Sequence, residues 1–237
     1  MGMVKVTIFQ KSLHEGLSLN TVKKLAGLKS DFLIFPEYFY TEDKILDFNK
    51  LEDKSNYALE WLLKLNESYK GVIVGGTMFR ETNGKKYIGT PLISNGEVVD
   101  WYLKRKLSEE ESKHAEAGSD LGEYILGGNR FSILSGSEIL ETSYLKEIAD
   151  RGLHFVIVIS NSYKNNIETN DTDQANYCNP ASEYGIYFVK CSPCGTFLGK
   201  ELQGRSLAVS PSGISWRVSE SEEEKELLKT VIINIQN

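Results

Sequence analysis

Two short stretches present reactive side chains at the ends of apolar runs. In Phe32-Leu33-Ile34-Phe35-Pro36-Glu37 four apolar residues read as a buried strand, and Pro36, with no N–H to donate, ends its ladder. Glu37 then stands at the carboxyl end of a core strand, where α/β sheets often place binding and catalytic groups. An apolar approach raises a carboxyl pKa, which suits a general base. The plainer alternative is a glutamate that caps a neighbouring turn. In Tyr102-Leu103-Lys104-Arg105-Lys106-Leu107 a strand ends on Lys104, whose ammonium is placed to hold a developing oxyanion. Its plainer alternative is a basic loop laid over the sheet edge.

Other reactive types show weaker patterns. Cys191-Ser192-Pro193-Cys194 is a C-x-x-C, a redox arrangement in some cytosolic proteins, but no thioredoxin-like strand order precedes it. Two small apolar residues at the end of a buried strand explain the pair as well. A structural zinc site takes four ligands, and no second C-x-x-C or C/H pair accompanies this one. His14, His114 and His154 have neither ligand nor triad spacing, and Gly75-Gly76 and Gly127-Gly128 fit no phosphate loop and read as turn or bulge glycines. No metal and no cofactor is expected.

The elements that must position Glu37 and Lys104 are strands of two kinds. Val4 to Phe9, Phe32 to Phe35, Gly71 to Val74, Phe155 to Ile159 and Ile186 to Val189 are short, mainly apolar runs, so at least one face and in most cases both are covered. Asn83-Gly84 and Asn95-Gly96 signal tight hairpins. They imply a meander of Val72 to Phe79, Lys86 to Ser94 and Glu97 to Leu103. Pro211-Ser212-Gly213 marks a third hairpin, from Ser206–Val209 to Ile214–Val218. Helical stripes run through Leu19, Val22 and Leu25, through Leu59, Leu62 and Leu63, and through Tyr144, Leu145 and Ile148. Glu222 to Leu228 reads as a short charged helix before a last strand, Val231 to Ile235. So many hairpins exclude a purely parallel sheet and favour mixed sheets with helices outside.

Composition narrows the class. The 237 residues carry a net charge of −6, with 41% hydrophobic and 25% charged residues, which excludes disorder and argues against general nucleic-acid binding. The acidic runs Glu109–Glu111 and Glu220–Glu226 read as solvated helix faces. No apolar stretch is long enough for a membrane span, and the start has no signal-peptide pattern. With three cysteines, a reducing cytoplasm is the expected location. No internal repeat or domain boundary is visible, so residues 1–237 are expected to form a single domain.

These motifs, in this order, resemble the nitrilase (carbon–nitrogen hydrolase) superfamily over nearly the whole chain. Val4 to Gln10 is similar to the family's first strand, Phe35-Pro36-Glu37 to its catalytic-glutamate motif, and Tyr102-x-Lys104-x-x-Leu107 to its catalytic-lysine motif. Gly118 resembles the glycine after the supporting glutamate, which by spacing puts Glu111 in that role, or Glu110 after a small slip. Ala181-Ser182-Glu183 with Tyr187-Phe188-Val189, Gly204-x-Ser206 and Pro211-x-Gly213 resemble the closing segments. The resemblance implies an α-β-β-α sandwich of two mixed sheets, with the Cys194–Gly199 loop near the pocket mouth. It also implies a small amide-, nitrile- or carbamoyl-type ligand, a homodimer or higher homo-oligomer, and no cofactor. The family's chemistry uses a cysteine thiolate nucleophile, a glutamate base, a lysine for the oxyanion and a second glutamate that positions them.

The nucleophile departs from that pattern. The family's Cys-x-Asp/Glu falls in Phe131-Ser132-Ile133-Leu134-Ser135-Gly136-Ser137-Glu138-Ile139, and anchoring on Glu138 puts Gly136 at the cysteine. Cys178, Cys191 and Cys194 all lie later, and Glu141-Thr142 replaces the aromatic-Pro that follows the nucleophile. The family's Arg-rich helix gives way to Cys178-Asn179-Pro180. Three accounts compete: a catalytically impaired homologue that binds without turnover, a serine nucleophile at Ser135 or Ser137, or a later cysteine reaching the site.

Overall fold

In the computed structural model, which describes residues 2–153, 155–165 and 169–235, the apolar runs are covered on both faces. Successive side chains of a strand point to opposite faces, so an all-apolar run needs two apolar neighbours. The first half of the chain comprises β1 (Gly2–Gln10), α1 (Leu19–Ala26), β2 (Phe32–Ile34), α2 (Phe48–Ser68), β3 (Val72–Val74), β4 (Met78–Thr82), β5 (Lys85–Ser94) and β6 (Glu97–Leu103). These strands form a sheet of order β15-β1-β2-β3-β5-β4, with β6 also paired to β5 and β15 (Leu227–Ile235) closing the far edge. The second half comprises β7 (Glu123–Leu126), β8 (Asn129–Ser135), α3 (Thr142–Asp150), β9 (Phe155–Ile159), α4 (Asn170–Asp173), α5 (Asn179–Tyr184), β10 (Tyr187–Cys191), the small hairpin β11 (Gly195–Phe197) and β12 (Lys200–Leu202), β13 (Leu207–Ser210) and β14 (Gly213–Arg217). Its main sheet has the order β14-β13-β10-β9-β8-β7.

Both sheets are mixed. The central pairs β1–β2, β2–β3, β8–β9 and β9–β10 are parallel, and hairpin partners flank them. Val4, Val6, Ile8, Phe32 and Ile34 meet Phe131, Ile133, Phe155 and Ile157 between the sheets. The Phe32 ring stands edge-on to Phe131 at 5.1 Å and to Phe155 at 5.8 Å. The alternate residues face outward: Leu33 and Ile73 pack under Leu25, Leu51 and Leu62 of α1 and α2, and Val156 and Val158 under Leu145 and Ile148 of α3. Burial of each such side chain contributes about 1.5–3 kcal/mol. The result is the expected α-β-β-α layering. No helix among the described residues is long and apolar enough to cross a membrane.

Three details differ from the sequence expectation. The strand expected over Val72 to Phe79 is broken into β3 and β4, because Gly76 adopts φ +68 and turns the chain against the Pro36 carbonyl, which leaves no room for a Cβ. The helix expected over Glu222–Leu228 is only a 3₁₀ turn at Glu220–Glu222. The chain then enters β15, which pairs antiparallel with β1 from Gly2↔Ile235 to Gln10↔Leu227 and satisfies an edge that would otherwise stay open. The acidic runs, finally, are not wholly solvated. Glu111 is buried, and Glu223 turns inward to accept a hydrogen bond from Arg205 at 2.8 Å.

Candidate active site

Glu37, Lys104 and Gly136 follow the ends of β2, β6 and β8, and the facing sheets bring these ends together. Beyond β2, Phe35 N–H still donates to the Val74 carbonyl at 2.9 Å; Pro36 then ends the ladder and Glu37 turns into the space between the sheets. Lys104 is fixed by its own backbone, since its N–H donates to Ile88 at 2.9 Å and its carbonyl accepts from Gly118 N–H at 2.8 Å. Glu111 lies on a 3₁₀ turn, Glu111–Lys113.

The three charged side chains are only 3–4% exposed. Lys104 Nζ donates to Glu111 Oε1 at 2.7 Å and to Glu37 Oε1 at 3.2 Å. Glu111 also accepts from Tyr38 OH at 2.8 Å and from Ser108 N–H at 2.7 Å. Glu37 accepts from Asn161 N–H at 2.9 Å and from Ser135 Oγ at 3.3 Å. Two carboxylates thus share one ammonium in a buried site, and their surroundings push them apart. For Glu37 burial dominates and, with the Glu111 charge, raises its pKa against the pull of Lys104. For Glu111 burial also pushes upward, but Lys104 and the donors from Ser108 and Tyr38 outweigh it and hold the carboxyl below its ordinary range. Burial alone would depress the Lys104 ammonium, yet the two carboxylates hold it above its usual value. Lys104 and Glu111 are thus each held toward the charged form, while burial pushes Glu37 toward the neutral one. Such a split is what separates a base from a positioning carboxylate.

Gly136 opens a 3₁₀ turn, Gly136–Leu140, at φ +58, in the left-handed region. A Cβ there would lie 2.7 Å from Lys104 Nζ and 3.7 Å from Glu37 Oε1. Position 136 therefore points at both groups. The turn is tied to the lysine segment by Glu138, whose wholly buried carboxylate accepts from Tyr102 OH and Ser135 N–H at 2.6 Å each. It also accepts from Arg105 N–H at 2.5 Å and Lys106 N–H at 3.0 Å.

The two serines differ. Ser135 is fully buried with its hydroxyl on Glu37, and it is not in the wall of the cavity. Ser137 is exposed in that wall, and its hydroxyl has no hydrogen bond among the described residues. Glu110 is exposed and pairs with Lys113 at 2.6 Å, so of the two only Glu111 is buried against Lys104. None of the cysteines lines the cavity, and all three are free and buried. Burial raises the Cys191 and Cys178 thiols and pushes Cys194 up to about 11, so none resembles an activated thiolate. His14 pairs with Asp43, His114 stacks on Phe48, and His154 lies outside the described residues. Among the described residues no group of His, Cys, Asp and Glu could hold a metal ion.

Above Glu37 and Lys104 lies a cavity of about 1030 Å³. Its walls come from the start of α2, the segment after Lys104, the Gly136–Leu140 turn, the chain after β9 and residues 197–201. Phe197 and Leu198 place the loop after Cys194 in the wall, as expected. Sequence reasoning missed Asn161 and Tyr38. Asn161 follows the apolar run of β9 as Glu37 follows that of β2, and that parallel was legible. Nothing in the sequence marks Tyr38, which reaches Glu111 from a backbone at φ +49.

No family model and no curated protein matches the sequence. Solved structures do. A glutamine-dependent NAD+ synthetase from Acinetobacter baumannii, in complex with ADP, matches over 98% of this chain with a TM-score of 0.81 at 18% identity, and this chain spans 46% of it. An amidase of the nitrilase superfamily from Nesterenkonia AN1 matches over 97% of this chain and 90% of its own, with a TM-score of 0.77 at 19% identity. Saccharomyces cerevisiae Nit3, of branch 10 of that superfamily, matches over 97% and 89%, with a TM-score of 0.78 at 17% identity. In a mutant of the Nesterenkonia amidase the acetamide moiety of fluoroacetamide is covalently added at the active-site cysteine. The common architecture is the nitrilase fold, and this chain has it.

Proposed function

We propose that this chain, built on the nitrilase fold, binds a small amide-, nitrile- or carbamoyl-type compound over Glu37 and Lys104 and does not hydrolyse it through a covalent intermediate. The observation that supports this reading is the contact at Gly136, where the Lys104 ammonium lies 2.7 Å from the place that the first carbon of a nucleophilic side chain would take. Lys104 is able to donate to a ligand's carbonyl oxygen, and Glu37 to accept from an N–H or from a water. No thiolate is supplied, so one hard step is not divided into two. Direct attack by water on a weakly electrophilic amide carbon is then the remaining route, and it is slow. Self-association as a homodimer belongs to the same reading; a single monomeric boundary in sedimentation velocity would remove it.

One contact favours a second reading. Ser135 Oγ donates to Glu37 at 3.3 Å, the relation a base-activated nucleophile needs, although Ser135 is fully buried. Ammonia release from aliphatic amides, nitriles and N-carbamoyl amino acids separates the two. The binding reading expects none above the blank, with amide binding detected by calorimetry. Hydrolysis that disappears in Ser135→Ala or Ser137→Ala establishes the serine reading instead.

A further inference from the structure

Resting on the proposed binding role, we infer that the natural ligand is an elongated compound with a primary amide head and a long apolar tail, larger than the simple amides. The head is set by donors and acceptors at the floor. Asn161 lines the cavity, and its side-chain Oδ1 is buried with no hydrogen-bond partner among the described residues. A buried acceptor left unpaired costs about 1–3 kcal/mol, which a ligand donor would recover once the side chain turned toward the cavity. The same residue is held by its own N–H on Glu37 Oε2, while Lys104 Nζ donates to Glu37 Oε1. One acceptor and one ammonium thus flank a single carboxyl group. A primary amide offers a carbonyl to the ammonium and N–H groups to Asn161. A nitrile has no donor to offer, and a carboxylate would bring a third negative charge beside Glu37 and Glu111.

The tail is set by volume and by the mouth. An amide of a few heavy atoms fills roughly 200 Å³ at the share of space that water-sized groups take. Most of the 1030 Å³ then stays unfilled. The wall continues over the Tyr38 ring, stacked on Phe197 at 4.9 Å, to Leu46 and Leu140, which line the cavity while 68% and 56% exposed. Single exposed leucines are ordinary, but two in one cavity wall mark a path for an apolar chain. Leu140 ends the turn that begins at Gly136, so this path starts at the head site. Several charges at the mouth are paired with neighbours, Lys113 with Glu110 at 2.6 Å, Lys106 with Glu141, and Glu201 with Lys164 at 3.4 Å, while Asp47, Glu109 and Lys200 also line it. These remaining groups are of both signs, so an ionic tail meets a like charge as well as an opposite one.

Titration calorimetry with the straight-chain primary amides from acetamide to decanamide tests this on the full chain. Affinity is expected to rise by up to about fourfold per added methylene, the value for full burial. Leu140→Asp, a change in the cavity wall, is expected to weaken decanamide by at least roughly tenfold and butyramide far less. Asn161→Leu is expected to weaken both. Amides that bind with no gain beyond butyramide, or a Leu140→Asp protein that still favours decanamide, would overturn the apolar tail and leave the binding role standing. Absence of binding at every length by a folded protein would overturn both.

Discussion

Lys104 and Gly136 are packed so closely that a Cβ on the glycine would lie 2.7 Å from the lysine Nζ, and the glycine holds φ +58. Gly136→Ala therefore carries two penalties: a left-handed backbone, at about 1–2 kcal/mol, and displacement of a buried ammonium from its carboxylates. Urea melts should show a loss of about 2–4 kcal/mol. Gly136→Cys carries the same strain but gains a sulfur beside Lys104, which favours the thiolate. Its alkylation by iodoacetamide at neutral pH should outrun that of a free thiol. A rate equal to the free thiol would mean that position 136 does not face the lysine in solution.

Removal of Lys104 separates its role from that of Glu37. Lys104→Met leaves two buried carboxyls without their cation, and about 3–5 kcal/mol of stability should be lost. Glu37→Gln, by contrast, keeps the size and removes the carboxyl whose ionisation burial opposes. Its loss should be far smaller in the same denaturant series.

The two carboxylates also give opposite pH dependences. Glu37 has a folded pKa above its ordinary value of 4.5, so between the two values the folded state binds more protons, and this group's contribution falls as pH rises. Glu111 is lowered, so its contribution is present above 4.5 and is lost as pH falls through its folded pKa. The stability of Glu37→Gln relative to the parent should therefore improve as pH rises above 4.5. A difference that stays flat with pH would show that Glu37 titrates normally.

Glu138 holds four donors drawn from both sides of the site: Tyr102, Arg105, Lys106 and Ser135. Glu138→Ala strands them in a buried space, at about 1–3 kcal/mol for each that finds no water. A stability loss of at least about 3 kcal/mol is expected by chemical denaturation, with Glu138→Gln in between.

Deletion of residues 230–237 removes more than half of β15 and bares the edge of β1. Exposed edges template association, so the truncated chain should sediment as heterogeneous aggregates. A soluble particle of unchanged size would count against the role given to β15.

The chemistry-bearing ends of the sandwich were largely legible. Phe32–Phe35 read as a strand covered on at least one face and Pro36 as its stop, which put Glu37 at a strand end. Asn83-Gly84 and Asn95-Gly96 fixed the hairpins that lead to Lys104, because their turns require left-handed residues, seen here at Asn83 and Asn95 with φ +54 and +55. The acidic tail misled, since charge content favours a solvated helix, whereas the open edge of β1 recruits Leu227 and Leu228 into a strand. Propensity is local, and pairing with a distant edge overrides it.

What the sequence by itself determined were the strands, their hairpins and which residues end them, because alternation and turn chemistry act over a few neighbours. Residue types alone also led to the expectation of a departure at position 136. Only the tertiary structure decided that Lys104 bridges Glu37 and Glu111, that Tyr38 and Asn161 hold the carboxylates, and that Lys104 lies against Gly136. Each of these relations joins residues far apart in the chain. Their pKa values and clearances depend on burial and on distances of a few ångströms, which exist only after two sheets have packed face to face.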